Sequence, residues 1–170
     1  MISQTVGIVA VAFFAVTVIY AALQDAATLT IRNRLVLVLA GGYFAFAPLA
    51  GFGLLELGQG LGTAALVLLA TFTLFAFGLI GGGDAKFAAA ASLWLGPEGT
   101  LAFLVYTMLI GGVLAAMLIA LRTLPLPVAL YRVPLVARVQ APGAGIPYAL
   151  AMAPAALLVI PTTTWFALLA

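Results

Sequence analysis

Leu79-Ile80-Gly81-Gly82-Gly83-Asp84-Ala85-Lys86-Phe87-Ala88-Ala89-Ala90-Ala91 sets three glycines and two opposite charges between two apolar runs. Upstream, Leu61 to Ile80 is long enough to cross a membrane, for which about 20 apolar residues suffice. Downstream, Phe87 to Leu95 is apolar but short. At about 1.5 Å per residue it cannot cross a roughly 30 Å core unless its helix begins within Asp84 to Lys86 or the bilayer thins. Four further apolar segments flank this pair: Val6 to Leu23, Leu35 to Phe52, Thr100 to Leu121, and Ile146 to Ala170. Of the 170 residues, 66% are hydrophobic and 6% charged, with a mean hydropathy of +1.34, whereas soluble domains carry about 25% charged residues. Hydrocarbon offers no water to backbone groups, so uninterrupted apolar runs predict helices. The expected fold is an all-α polytopic membrane protein with about six transmembrane helices, the fourth short or re-entrant. No second soluble domain is indicated, so residues 1–170 read as one transmembrane domain.

Orientation follows from the basic residues. Lys and Arg collect on the cytoplasmic side, and the first of them, Arg32 and Arg34, follow the first segment. No basic residue precedes that segment, so it reads as a retained span rather than a signal peptide. With the N-terminus outside, threading places Asp25, Arg32, Arg34, Asp84, Lys86, Arg122, Arg132 and Arg138 inside, and Glu56 and Glu98 outside. All the basic residues share one face, and so do both aspartates. Small residues at four-residue spacing, Gly58 with Gly62 and Gly78 with Gly82, together with Ala88 to Ala91, are expected where helices approach closely in lipid. The Arg122 to Gly145 connection carries Pro125, Pro127, Pro134 and Pro142 and cannot be one regular helix. It reads as the longest cytoplasmic loop, either a tether or a substrate-docking flap.

With no cysteine and no histidine, the chain cannot build a disulfide, a thiol nucleophile, a Cys/His zinc site or a histidine-based triad. Asp25, Glu56, Asp84, Glu98, Lys86 and the tyrosines remain for proton transfer. A net charge of +2 gives no reason to expect nucleic acid. Carboxylates drawn into a membrane cost several kcal/mol and are functional candidates by default. Asp25 lies where the first span ends and Asp84 where the third gives way to the fourth, at similar depth. Two carboxylates held close cannot both ionise easily, so one keeps a proton while the other stays charged. The ionised member can take a proton from water attacking a peptide carbonyl, and the protonated member can support the oxyanion and protonate the leaving amine. No metal or cofactor is required.

Gly81, Gly82 and Gly83 give the backbone freedom and let an extended peptide approach, since no Cβ intervenes; a plain turn between helices is the simpler account of the glycines alone. A phosphate loop would end in Gly-Lys-Ser/Thr, whereas this one ends Gly83-Asp84-Ala85-Lys86. Lys86 could orient Asp84 or meet lipid phosphate. A Ser/Lys hydrolase is poorly served, because Ser92 and Lys86 lie on different faces of a helix, about 9 Å apart along its axis.

Gly81-Gly82-Gly83-Asp84-Ala85-Lys86 resembles the Gly-x-Gly-Asp-x-Lys signature of the type IV prepilin peptidases, which belong to the wider Gly-x-Gly-Asp intramembrane aspartic proteases. Leu93-Trp94-Leu95-Gly96 resembles the family's continuation. The family also carries an Asp at the end of an early span followed by Ile-Pro-Asn. Here Asp25 is followed by Ile31-Arg32-Asn33, with Arg32 in place of proline. Ile146-Pro147-Tyr148-Ala149 is similar to the Ile/Val-Pro-Tyr-Gly that opens the last span. The resemblance implies an aspartic endopeptidase of the bacterial inner membrane, with Asp25 and Asp84 catalytic and Gly81, Gly83, Lys86 and Asn33 supporting. It implies a prepilin or pseudopilin substrate with a short basic leader, a glycine before the cut and a hydrophobic helix. Lacking the cysteine-containing region of the bifunctional members, the chain resembles the short peptidase-only form of the tight-adherence (Flp) pili, without methyltransferase activity. Pilus assembly machinery and membrane lipid are the implied partners. Two other readings stand beside this one. A small proton-coupled transporter or channel would use the aspartates as a relay, although no carboxylate lies mid-span. A non-catalytic pilus assembly subunit would make Asp84→Asn silent.

Overall fold

The computed structural model describes residues 2–123, 132, 136 and 145–169. Among them every regular element is helical: α1 (Ile2–Thr28), α2 (Asn33–Leu49), α3 (Leu54–Ala76), α4 (Gly82–Thr123), α5 (Ala149–Val159), a 3₁₀ turn (Ile160–Thr162) and α6 (Thr164–Ala167). Three helical stretches, Ser3–Thr28, Leu54–Ala76 and Gly82–Thr123, are long and apolar enough to cross a membrane, and Asn33–Leu49 and Ala149–Thr162 are shorter apolar ones. The chain is a membrane-integral protein. Large apolar side chains such as Leu37, Leu66, Leu101 and Val113 point outward, the surface that lipid covers.

α4 is two helices meeting at Gly96, whose φ of 63° and ψ of −173° lie in a region essentially reserved for glycine. Pro97 then opens the second arm, where its missing N–H costs nothing, and the Thr100 hydroxyl donates to the Gly96 carbonyl at 2.6 Å. The arms run side by side, because Asp84 and Ala88 share a cavity with Leu104 and Met108; a straight helix would separate residues 84 and 108 by about 36 Å. The expected short fourth segment is therefore a helix that begins at Gly82, ahead of Asp84 and Lys86. Its arm over residues 82–95 is about 21 Å long. It is also central: every residue from Phe87 to Leu95 is buried. The Trp94 indole N–H donates to the Leu39 carbonyl at 2.8 Å, pinning this arm to α2.

Several boundaries differ from the hydropathy reading. α3 starts at Leu54 rather than Leu61, since the Glu56 carboxylate accepts the Gly53 N–H at 2.8 Å and so satisfies an orphan donor of the first turn. α2 stops where Gly51 turns to a φ of 90°, a glycine stop signal. The last apolar segment is interrupted at Pro161, which cannot donate to a helical ladder. Close helix approach falls on Gly60 rather than on Gly58 or Gly62, whose Cβ positions meet nothing. A Cβ on Gly60 would lie 2.5 Å from the Tyr43 hydroxyl and 3.1 Å from the Leu93 carbonyl oxygen. Most of the Arg122 to Gly145 connection, Arg138 included, lies outside the described residues, and its role as tether or flap with it. Its two ends meet, the Arg122 guanidinium donating to the Gly145 carbonyl at 3.3 Å.

These helices make two distinct ends. One gathers the end of α1, residues 29–33, the start of α4 and the start of α5. The other gathers Phe52, Glu56, the Gly96 break, Glu98 and Trp165. Asp25, Arg32, Asn33, Asp84 and Lys86 thus share one end, while Glu56 and Glu98 share the other.

Candidate active site

Asp25 falls on the inward stripe of α1, below the buried Ala10, Phe14, Val18, Ala21 and Ala22, a helical spacing that keeps these side chains on one face. It is only 4% exposed. Its carboxylate oxygen Oδ2 accepts the Ala149 backbone N–H at 2.9 Å, at the first residue of α5. A helix N-terminus presents free N–H groups, so α5 orients the Asp25 carboxylate. The segment Ile146-Pro147-Tyr148-Ala149 therefore acquires a role: Pro147 is fully buried and fixes the approach of the N–H that holds Asp25.

Asp84 sits one turn into α4, where its carboxylate reaches back to the Gly81 N–H, as an acidic residue at N3 does in a capping box. The two glycines of the motif have separate reasons. A Cβ on Gly81 would stand 2.7 Å from Asp84 Oδ2, and one on Gly83 would stand 3.2 Å from the Ile31 Cβ and 3.4 Å from its backbone N and O. Gly81 makes room for the carboxylate, and Gly83 lets the start of α4 press against the extended segment before α2. Gly82 has a third neighbour, the Phe75 ring, 3.2 Å from its Cβ position.

Asp25 and Asp84 line one cleft of about 280 Å³, walled by Leu29 to Ile31 and by Gly81, Gly82 and Gly83. Leu29 is the only non-glycine residue with positive φ among the described residues, at 52°, a conformation that costs an L-residue about 1–2 kcal/mol. It ends α1 by donating its N–H to the Asp25 carbonyl at 2.7 Å, so the strained residue lies in the cleft wall directly after the carboxylate-bearing turn. Lys86 does not enter the cleft. Its Nζ donates to Asn33 Oδ1 at 3.2 Å, tying α4 to the first residue of α2.

The structure thus brings together Asp25, Asp84, Gly81 and Gly83 around the cleft and pairs Lys86 with Asn33 beside it. Sequence reading missed the Ala149 N–H and Leu29. The only signal for the first was the Ile-Pro-Tyr stretch, and nothing marked the second.

The profile of the type IV leader peptidase family matches residues 12–116. The chain belongs to that family. No curated protein and no solved structure matches it. The matched region spans both aspartates, Asn33 and Lys86 and stops short of Ala149. A type IV leader peptidase is a protease.

Proposed function

We propose that the chain is an aspartic endopeptidase in which Asp25 and Asp84 form the catalytic pair, removing the basic leader of type IV, Flp-like prepilins after a glycine at the cytoplasmic face of a bacterial inner membrane. The observation that carries this reading is the shared cleft: two carboxylates from different helices open into one cavity with glycine along one wall. Two carboxylates facing one cleft favour a singly protonated pair. The ionised carboxylate takes a proton from the attacking water. The protonated one hydrogen-bonds the carbonyl oxygen as it becomes an oxyanion and then delivers its proton to the leaving amine. The glycines let an extended substrate backbone approach without Cβ obstruction. The Lys86–Asn33 contact holds the two cleft walls in register.

A basic leader on the side of Arg32, Arg34 and Lys86 meets like charge, so recognition in this reading rests on the apolar helix and the glycine before the cut. The chain lacks cysteine, and the proposal includes no methyl transfer. The test is mass spectrometry of a glycine-site prepilin incubated in lipid with wild-type protein and with Asp84→Asn. Leader loss with the wild type alone is expected. Equal loss with both would remove Asp84 from the chemistry.

A further inference from the structure

α1 and α2 enclose a cavity of about 210 Å³ that is separate from the cleft and lined by Tyr20, Gln24, Arg32, Arg34, Leu35 and Val38. Two arginines line it and no carboxylate does. Both arginines are exposed. Among the described residues neither guanidinium, nor the Tyr20 hydroxyl, has a hydrogen-bond or ion-pair partner. The lining is ordered by depth. Tyr20 lies four residues before Gln24 on α1, and Val38 four residues after Arg34 on α2, so both sit about 6 Å further towards the middle of the spans than the polar pair. One turn deeper, α1 exposes Val16. Lys86 borders a larger apolar groove of about 610 Å³, but it brings a single charge that is already engaged with Asn33.

We infer that the cavity between α1 and α2 holds the headgroup of an anionic phospholipid, its phosphate between the two guanidiniums and an acyl chain running past Tyr20 and Val38. The inference does not depend on the peptidase reading. Two unpaired cations with no carboxylate select an anion, and guanidinium forks suit phosphate oxygens. A basic leader has the wrong sign for this place. A soluble phosphate compound would leave the apolar lower half unused, whereas a phospholipid brings phosphate and hydrocarbon in this order, with tyrosine at the interfacial level such rings favour. The same lipid would steady the cleft. Leu29, Thr30 and Ile31 wall it, the Gln24 amide donates to the Thr30 carbonyl at 3.5 Å, and Arg32 follows directly. The Arg32 φ of −70° falls in proline's range of about −65 ± 15°, the residue that the Ile-Pro-Asn pattern has here. A proline would hold that backbone by its ring; a phosphate on Arg32 holds it from outside.

The test takes full-length protein from vesicles of phosphatidylglycerol and phosphatidylcholine in equal amounts into mild detergent for native mass spectrometry. The wild type should retain phosphatidylglycerol over phosphatidylcholine by about tenfold or more, the scale that two arginines supply near an anionic surface. The double variant Arg32→Gln/Arg34→Gln should lose this preference and Lys86→Gln should keep it. Arg32→Pro suits the backbone already present, should lower the preference, and serves if the double variant fails to fold. Absence of the preference in the wild type, or its survival in the folded arginine variants, would overturn the site. Its loss in Lys86→Gln would move the lipid to the larger groove and overturn the site equally. Excess inorganic phosphate, against chloride at equal ionic strength, should displace no lipid; displacement would assign the cavity to a soluble phosphate compound instead. Amide exchange over residues 29–33 should be slower in phosphatidylglycerol than in phosphatidylcholine vesicles for the wild type, and equal in both for the double variant. Equal exchange in the wild type would break the link between the lipid and the cleft wall.

Discussion

The two ends of the molecule use the same residue types to opposite effect. Each has a glycine-dependent turn and a pair of carboxylate residues, Asp25 with Asp84 at one end and Glu56 with Glu98 at the other. At the Glu56 end, Tyr43, Trp94 and Trp165 crowd together, with the two indoles 4.8 Å apart, and leave a space of only about 40 Å³. Glu56 there is exposed and caps α3. At the Asp84 end the glycines replace the aromatic rings, the space is about 280 Å³, and Asp25 is buried. Asp84 and Glu56 both reach back to the residue that opens their helix, but glycine leaves an open cleft beside Asp84 whereas aromatic side chains fill the space beside Glu56.

This contrast can be broken most sharply at the carboxylates. Asp25→Asn and Asp84→Asn should each lower prepilin cleavage by about 10²-fold to 10⁴-fold or more, the contribution of an acid–base group. In Asp25→Asn the new side-chain carbonyl can still accept the Ala149 N–H, so thermal unfolding followed by tryptophan fluorescence should change little. Full cleavage by either variant would dissolve the pair. Next comes Gly81→Ala. The added Cβ would displace the flexible end of Asp84 rather than backbone, so the fold should survive while cleavage falls about 10²-fold, the cost of a misplacement near 1 Å; wild-type rates would show that the carboxylate has slack. At the aromatic end the effect should be on stability. Trp94→Phe removes the indole hydrogen bond to the Leu39 carbonyl and should cost about 1 kcal/mol, read as a lower unfolding midpoint in detergent, while folded protein keeps its cleavage rate. The smallest effect is expected of Lys86→Ala. Its exposed hydrogen bond to Asn33 is worth about 1 kcal/mol, so a rate loss below about tenfold should follow. A dead, folded Lys86→Ala would place the ammonium in the chemistry instead.

Much of the candidate site could be read from the sequence because its determinants are local. Gly81, Gly83 and Asp84 act within a single helix turn, and the glycine requirement is set by atoms three residues away or by Ile31 pressed against that turn. Asn33 and Lys86 were named from a motif, but their contact needs the fold. The inward face of α1 was harder to read. In a soluble helix, Phe14, Val18 and Ala21 would stand out against a polar opposite face, but here Val16, Ile19 and Leu23 on the lipid side are equally apolar, so hydropathy gives length without facing. The same blindness explains why Gly60 rather than Gly58 or Gly62 marks the contact with α2 and α4. The start of α3 was misjudged because Leu54 to Gly60 is less uniformly apolar than the run after it, while Glu56 in fact stabilises the turn it interrupts. The Ala149 N–H was invisible for a simpler reason: every residue but proline has one, and only the fold says which one is aimed at Asp25.

The bond from Ala149 to Asp25 spans 124 positions of sequence. A chain emerging from the ribosome makes Asp25 early and Asp84 midway, yet the donor that orients Asp25 arrives only with α5. An unfinished copy would carry both acids without that bond, so the contact that orients Asp25 forms only once α5 is in place.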